Sequence, residues 1–439
     1  MKVGIDHVIK LSHMKKKSFT LGIIGMCMVA SYVSAQEAPQ LRPDNIDQVI
    51  AAMTLDEKAH LVNGIGTFWG GDNSCRSLRD IPGAPGGTYA IPRLGIPGLY
   101  FGDGPLGLRI NEIREFDNHK YSITAEPVPL LVGSSWDPQV VYDVAQDIGE
   151  ECRDYGVDVM LGPSFNIQRN PLGGRTHEYY SEDPFLAGKL AGAFIDGVQS
   201  VGVGASVKHF AANNQETNRN AVNSIVSQRA LREIYLKAFE VAIKDCEPWT
   251  VMTSYNGLNG DWTAENKQLL EDVLRGDWGF KGMVMTDWGG GTHPEKMMEA
   301  GNDLLEPGSE RAVQAIIAAV DNGDLDEKVL DDNVRRILEM VVKTYSYRDY
   351  DFSNNPDLEE HRAMARRAAA EGAVLLKNDN KALPFAQDIK NVAIYGNTGY
   401  NLIPGGIGHK ENSSGNYHIS LVEGLRLAGY TVDYSLIKA

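Results

Sequence analysis

The amino-acid sequence predicts an α/β protein: a (β/α)8 TIM-like barrel over residues 36–345, a linker and helix over 346–388, and the beginning of an α/β sandwich domain over 389–439. Three observations predict it. Short apolar runs of strand length alternate with amphipathic stretches of helical length from Leu99 to Val320, which is the pattern of right-handed βαβ units around a parallel sheet. About seven or eight such units in one span suit a closed barrel better than an open, doubly wound sheet. After Pro356 the same alternation restarts on a smaller scale, with a Gly/Asn/Ser loop between its first strand and its helix.

Composition narrows the functional classes. A chain of 439 residues exceeds one average domain, and 43% hydrophobic with 23% charged residues is ordinary for a water-soluble globular protein. The formal net charge of -16 argues against nucleic acid or an anionic membrane as partner. A neutral ligand such as a sugar suits it. At the front, Lys15-Lys16-Lys17, the apolar run Phe19–Ala30 and the small residues Val33-Ser34-Ala35 read as an export signal over residues 1–35. The expected location is periplasmic or extracellular. No later stretch is long and apolar enough to span a bilayer, so no membrane partner is expected after removal of the signal, and self-association into a homo-oligomer is left open. Removal leaves Cys75, Cys152 and Cys246. Their spacing suits no metal site, and Cys152 reads as a small core residue in a helix.

The elements follow in order. Arg42–Asn63 reads as an amphipathic helix with a capping box at Thr54 and Glu57, and Gly64–Gly87 as a surface loop. Strands are expected at Gly98–Phe101, Leu130–Val132, Val157–Leu161, Gly204–Lys208, Thr250–Ser254, Gly282–Thr286 and Asn302–Leu305. Helices are expected at Pro138–Tyr155, Pro184–Val201, Gln228–Lys244, Asn266–Trp278, Arg311–Val320 and Asp326–Tyr345, then at His361–Leu376. In the last segment Asn391–Tyr395 and Thr431–Tyr434 read as strands around a helix at Ser420–Ala428. One strand-helix-strand unit cannot bury both its faces, so this segment is expected to dock on the barrel or to continue into a larger domain.

The strand exits carry the chemistry. They read Asp103-Gly104-Pro105, Gly162-Pro163 with Asn166, Lys208-His209-Phe210, Tyr255-Asn256 and Asp287-Trp288. Any one of these could be a helix cap or a turn. In a barrel, however, the C-terminal ends of all strands converge on one site, and a polar group recurs at each. Asp287 stands out among them because a short apolar run, Met283-Val284-Met285, leads through Thr286 to it and an indole that could floor a sugar site follows it.

Gly162-Pro163-Ser164-Phe165-Asn166-Ile167-Gln168-Arg169-Asn170-Pro171-Leu172-Gly173-Gly174-Arg175, with Glu178 and Ser181-Glu182-Asp183-Pro184, resembles the signature of glycoside hydrolase family 3. Lys208-His209-Phe210-Ala211-Ala212-Asn213-Asn214-Gln215-Glu216, Met252-Thr253-Ser254-Tyr255-Asn256, Thr286-Asp287-Trp288 and the run from Gly372 to Pro384 resemble its other blocks, in the family's order. The resemblance implies a two-domain enzyme that removes β-linked sugars, usually glucose, from oligosaccharide or β-glycoside substrates with retention. It implies Asp287 as the nucleophile. It also implies Asp103, Arg175, Lys208, His209 and Tyr255 around the terminal sugar, with Trp288 beside it and Arg169 as a secondary candidate. A retaining glycosidase needs an ionised carboxylate and a carboxylic acid about 5 Å away, and Lys208 with Arg175 is expected to favour the charged form of Asp287.

Three departures qualify the resemblance. In the glucosidase branch the acid/base is a Glu far into the second domain, and Glu178, Glu182 and Glu216 do not match it, so no acid/base is assigned. Ala211-Ala212-Asn213-Asn214 stands where the N-acetylglucosaminidase branch carries a Pro-Gly-His-Gly sequence, which disfavours a His-Asp mechanism. The second-domain opening also departs, with His409 in Gly405-Gly406-Ile407-Gly408-His409 where a Ser is common. The main expectation is an exo-acting β-glucosidase; a β-xylosidase or other exo-glycosidase of the family and a non-catalytic sugar-binding fragment are the alternatives. Neither a metal nor an organic cofactor is expected, because no His spacing or phosphate loop suggests one.

Overall fold

The computed structural model describes residues 38–66, 81, 83–114, 118–401 and 419–434. The export-signal segment, Cys75, most of the Gly64–Gly87 loop and the Gly405–His409 sequence lie outside the described residues. The main sheet has six strands in chain order: β1 Gly86–Gly87, β2 Tyr100–Asp103, β3 Val159–Leu161, β4 Gly204–Phe210, β5 Thr250–Thr253 and β6 Met283–Met285. From β2 to β6 every pairing is parallel, while β1 runs antiparallel to β2.

The sheet curls, because single bridges carry the pairing past both of its edges. Met285 pairs with Leu304, Leu305 with Asn63, and Gly64 with Thr88, the last antiparallel. The expected strand at Asn302–Leu305 is therefore present only as this bridged segment. The β1 segment was expected as loop, since two glycines offer no side-chain alternation to read.

All residues of β3 to β6 are buried, as expected of strands covered on both faces. Successive side chains divide between two apolar clusters. Met160, Val251 and Val284 join the helices Pro138–Tyr155, Pro184–Ser200 and Lys237–Cys246. Val159, Leu161, Met252, Met283 and Met285 join the cluster that also holds Phe101, Leu304 and the helices Ile46–Ala52, Glu310–Asn322 and Glu327–Val341. This period-two division is the pleat of the strand expressed in packing. Cys152 is buried in the first cluster, as expected of a core thiol.

Three expectations are corrected. Leu130–Val132 lies in a helical turn, Pro129–Gly133, rather than a strand; Pro129 at its first position presets a helical φ. The helix expected over Arg42–Asn63 is two, Ile46–Ala52 and Leu55–Leu61. Thr54 takes an extended backbone to cap the second, its hydroxyl accepting from Glu57 N while Glu57 returns to Thr54 N, so the capping box that signals a start also ends the helix before it. Gln228–Lys244 is interrupted by a π-helical stretch at Leu231–Tyr235.

Helix Leu358–Gly372 packs on Pro138–Tyr155 through a buried ion pair, His361 Nδ1 to Glu151 Oε1 at 3.0 Å. Beyond it, β7 Asn391–Ala393 pairs in parallel with β8 Thr431–Asp433, and helix Leu421–Leu427 covers them with a small core of Ile394, Val422 and Val432. Among the described residues no helix is long and apolar enough to cross a membrane.

Candidate active site

A cavity of about 990 Å³ opens at the C-terminal ends of the parallel strands. Asp103, Arg175, Lys208, His209, Tyr255, Asp287 and Trp288 all line it. Seven residues spread over 185 positions of sequence thus meet in one place. Arg169 is exposed and does not line the cavity.

Asp103 ends β2 and receives two cations: Lys208 Nζ lies 2.7 Å from Oδ1, and Arg109 3.1 Å from Oδ2. Burial works to raise this carboxyl, but Lys208 and Arg109 override it and hold it well below the usual carboxylate range. Arg109 arrives through a tight turn in which its N–H donates to Asp103 O at 2.8 Å. The turn admits no side chain at Gly104, whose φ is 142° and whose Cβ would lie 1.8 Å from Gly107 O.

Lys208 and His209 are neighbours on β4, so a regular strand would aim them to opposite faces. The register with β5 shifts between Val207 and Phe210, and both side chains reach the cavity. Irregularities of this kind re-aim side chains beside functional sites. Asn166 brackets His209, accepting from its N–H at 3.0 Å and donating to its carbonyl at 2.9 Å. Burial, reinforced by Arg175 and Lys208, depresses the imidazole well below its ordinary range, so His209 is neutral.

Asp287 follows β6 and is almost wholly buried. Its Oδ1 accepts from Trp288 N at 2.8 Å. Its Oδ2 accepts no hydrogen bond of normal geometry and lies 3.6 Å from His209 Nε2, and the Tyr255 hydroxyl faces the carboxyl group. Arg175 and Lys208 favour its charged form, as expected, but they do not set the balance alone. Burial is the largest effect and raises it; Arg175, Lys208, the Trp288 N–H and Tyr255 offset this only in part. The Trp288 indole is pinned by a hydrogen bond from Nε1 to Pro85 O at 3.0 Å.

Arg109 and Arg219 were not singled out from sequence, and Glu178 and Glu216 were named there only as motif carboxylates without a sugar-binding role. Glu178 grips Arg175 through two hydrogen bonds, 3.0 and 2.8 Å, and accepts from Ser164 Oγ at 3.1 Å. Burial opposes its ionisation, yet Arg175 keeps it lowered. Arg109, Glu216 and Arg219 also line the cavity. The i,i+3 spacing of the Arg175–Glu178 and Glu216–Arg219 pairs was a usable signal; nothing local pointed to Arg109. Among the described residues no group of three or more His, Cys, Asp or Glu is placed to hold a metal ion.

A curled α/β sheet whose strand ends surround a buried carboxylate with cations, a neutral imidazole and an indole is the frame of a carbohydrate-active protein. Residues 116–340 match the glycosyl hydrolase family 3 N terminal domain, and the chain belongs to that family. It is 39% identical over 406 residues to Beta-glucosidase B of Emericella nidulans, covering 90% of this chain and 45% of that protein. It is 42% identical over 337 residues to an Exo-alpha-(1->6)-L-arabinopyranosidase of Bifidobacterium breve, covering 76% and 42% respectively. Beta-glucosidase 3B from Thermotoga neapolitana, solved in complex with alpha-D-glucose, superposes with a TM-score of 0.85 at 45% identity, over 90% of this chain and 56% of that one. The chain spans about half the length of the curated relatives it matches.

Proposed function

We propose that this chain carries the nucleophile and the sugar pocket of an exported, exo-acting, retaining β-glucosidase. The observation that carries the reading is the seat of Asp287: a buried carboxylate that lines the cavity, with one oxygen fixed by Trp288 N and the other buried without a hydrogen bond of normal geometry, ringed by Lys208, His209, Arg175 and Tyr255. A carboxylate seated at the base of a sugar pocket, within reach of the anomeric carbon, is what a retaining glycosidase requires of its nucleophile. In this reading Asp103 accepts from sugar hydroxyls while Lys208 and Arg109 keep it ionised. Neutral His209 and Arg175 donate to further hydroxyls, and Trp288 floors the ring. The curled sheet is read as the barrel, its eighth position filled by the antiparallel β1 segment, and β7 and β8 as the start of a second α/β domain.

The proton donor is not among the carboxylates described around the cavity. Asp103 and Glu178 are both held toward the charged form, and Glu216 is ion-paired with Arg219 at 3.1 Å. Loss of general acid catalysis forfeits about 10²- to 10⁴-fold. The chain therefore hydrolyses 2,4-dinitrophenyl β-glucoside, whose leaving group needs no proton, far faster than the 4-nitrophenyl compound, and Asp287→Ala abolishes both. A 2-fluoroglucoside labels Asp287. Equal rates on the two aryl glucosides would place an acid within the cavity, and absence of the label would remove the nucleophile assignment.

The 42% identity to an arabinopyranosidase favours one second reading, in which the same pocket takes a pentopyranose. A panel of 4-nitrophenyl glycosides ranks the two.

A further inference from the structure

We infer that Arg219 builds the leaving-group side of the pocket and selects substrates whose leaving group is a second sugar ring over those with an aryl group. The inference rests on the reading of Asp287 as the nucleophile of an exo-acting glycosidase. In such a pocket the ring to be released occupies the closed end, and the leaving group occupies the mouth. The cavity has this gradient: Asp287, Lys208 and His209 are buried at its base, while Asn218, Asn220 and Ala221 are exposed at its rim. Arg219 stands between them with its side chain 40% exposed.

Its position is fixed by a chain of contacts that ends at the nucleophile. Asn213, buried, donates to Glu216 Oε1 at 3.3 Å; Glu216 Oε2 accepts from Arg219 at 3.1 Å; and the guanidinium lies over the Tyr255 ring, 4.6 Å from its centroid. The Tyr255 hydroxyl faces Asp287. Stacked in this way, the guanidinium covers the Tyr255 face that an aryl leaving group would otherwise use. A guanidinium has five N–H donors, and among the described residues the bond to Glu216 is the one hydrogen bond this side chain makes. The remaining donors are matched by the hydroxyl oxygens of a sugar and by nothing on a phenyl ring.

The test uses two sulfur-linked, non-hydrolysable ligands with the same glucose unit: thiocellobiose and phenyl 1-thio-β-D-glucoside. Calorimetric dissociation constants are measured for the wild type, Arg219→Gln and Arg219→Lys. Loss of charge-assisted hydrogen bonds weakens thiocellobiose by roughly tenfold in Arg219→Gln, and weakens the phenyl ligand by a clearly smaller factor. Arg219→Lys, which keeps the charge without the planar fork, falls between. Equal weakening of both ligands, or no preferential loss of thiocellobiose, overturns the inference. Labelling of Asp287 by a 2-fluoroglucoside separates the two levels: label with no ligand discrimination refutes the role of Arg219 alone, whereas no label and no binding by the wild type refutes the functional reading beneath it.

Discussion

His361 offers a stability prediction that can be worked through from the structure. It sits on helix Leu358–Gly372, its side chain almost fully buried, with Nδ1 3.0 Å from Glu151 Oε1 and Nε2 3.6 Å from Glu150. Glu151 is equally buried and, among the described residues, otherwise accepts only from Thr124 N, at 2.9 and 3.1 Å. Glu126, Asp147 and Glu360 face the same cluster from the preceding loop and the two helices. Burial works to lower the imidazole, but the hydrogen bond and charge of Glu151, with Asp147 and Glu150, raise it from 6.5 to about 9. A raised His stabilises fully below its unfolded value and loses that contribution as pH climbs through its folded value. The window is therefore pH 6.5 to 9. At 1.36 kcal/mol for each pH unit the contribution is roughly 3 kcal/mol, or on the order of 5 °C in melting temperature. Thermal melts at pH 6 and pH 9 for the wild type and His361→Gln check it. The wild type loses several degrees across the window. His361→Gln starts lower and loses much less, because its Glu151 is already without a cation at pH 6. An unchanged pH slope in the variant would show that this pair does not fasten the helix. Asp147, whose burial lifts it to about 6, adds a separate loss of stability between pH 3.8 and 6, outside the window measured.

Three further predictions concern the pocket. Tyr255→Phe removes a hydroxyl that lowers the proton affinity of Asp287, so the acid limb of the kcat/KM profile for 2,4-dinitrophenyl β-glucoside moves to higher pH while the alkaline limb stays; an unmoved acid limb would contradict the contact. Asp103→Asn leaves Lys208, 5% exposed, facing a neutral amide, and weakens the hydrogen bonds to sugar hydroxyls, lowering kcat/KM by roughly 10²-fold or more. Gly86→Ala would place a Cβ 2.6 Å from Glu306 Oε2 and 2.9 Å from Trp288 Cζ2. The overpacking costs about 1–3 kcal/mol, and a lower melting temperature with altered tryptophan fluorescence and raised KM is the expected result.

The sequence by itself determined the strand-helix alternation, the apolar strands and the polar residues at their ends, because periodicity and the exit of a buried strand are local properties that twenty residues express. It therefore placed Asp103, Lys208, His209, Tyr255, Asp287 and Trp288 on one rim, and the family motifs added Arg175. Only the tertiary structure decided what those groups do to one another. Lys208 meets Asp103 across 105 positions, and the register shift between β4 and β5, at which both Lys208 and His209 reach the cavity, is a property of the strand pair and not of either sequence alone. The net proton affinity of Asp287 was not legible for the same reason: its cations are legible as motifs and act as expected, but burial is a sum over every neighbour and outweighs them. The antiparallel β1 and the helical turn at Leu130 escaped as well, since a two-residue glycine strand has no pattern and a three-residue apolar run suits either state until its neighbours choose.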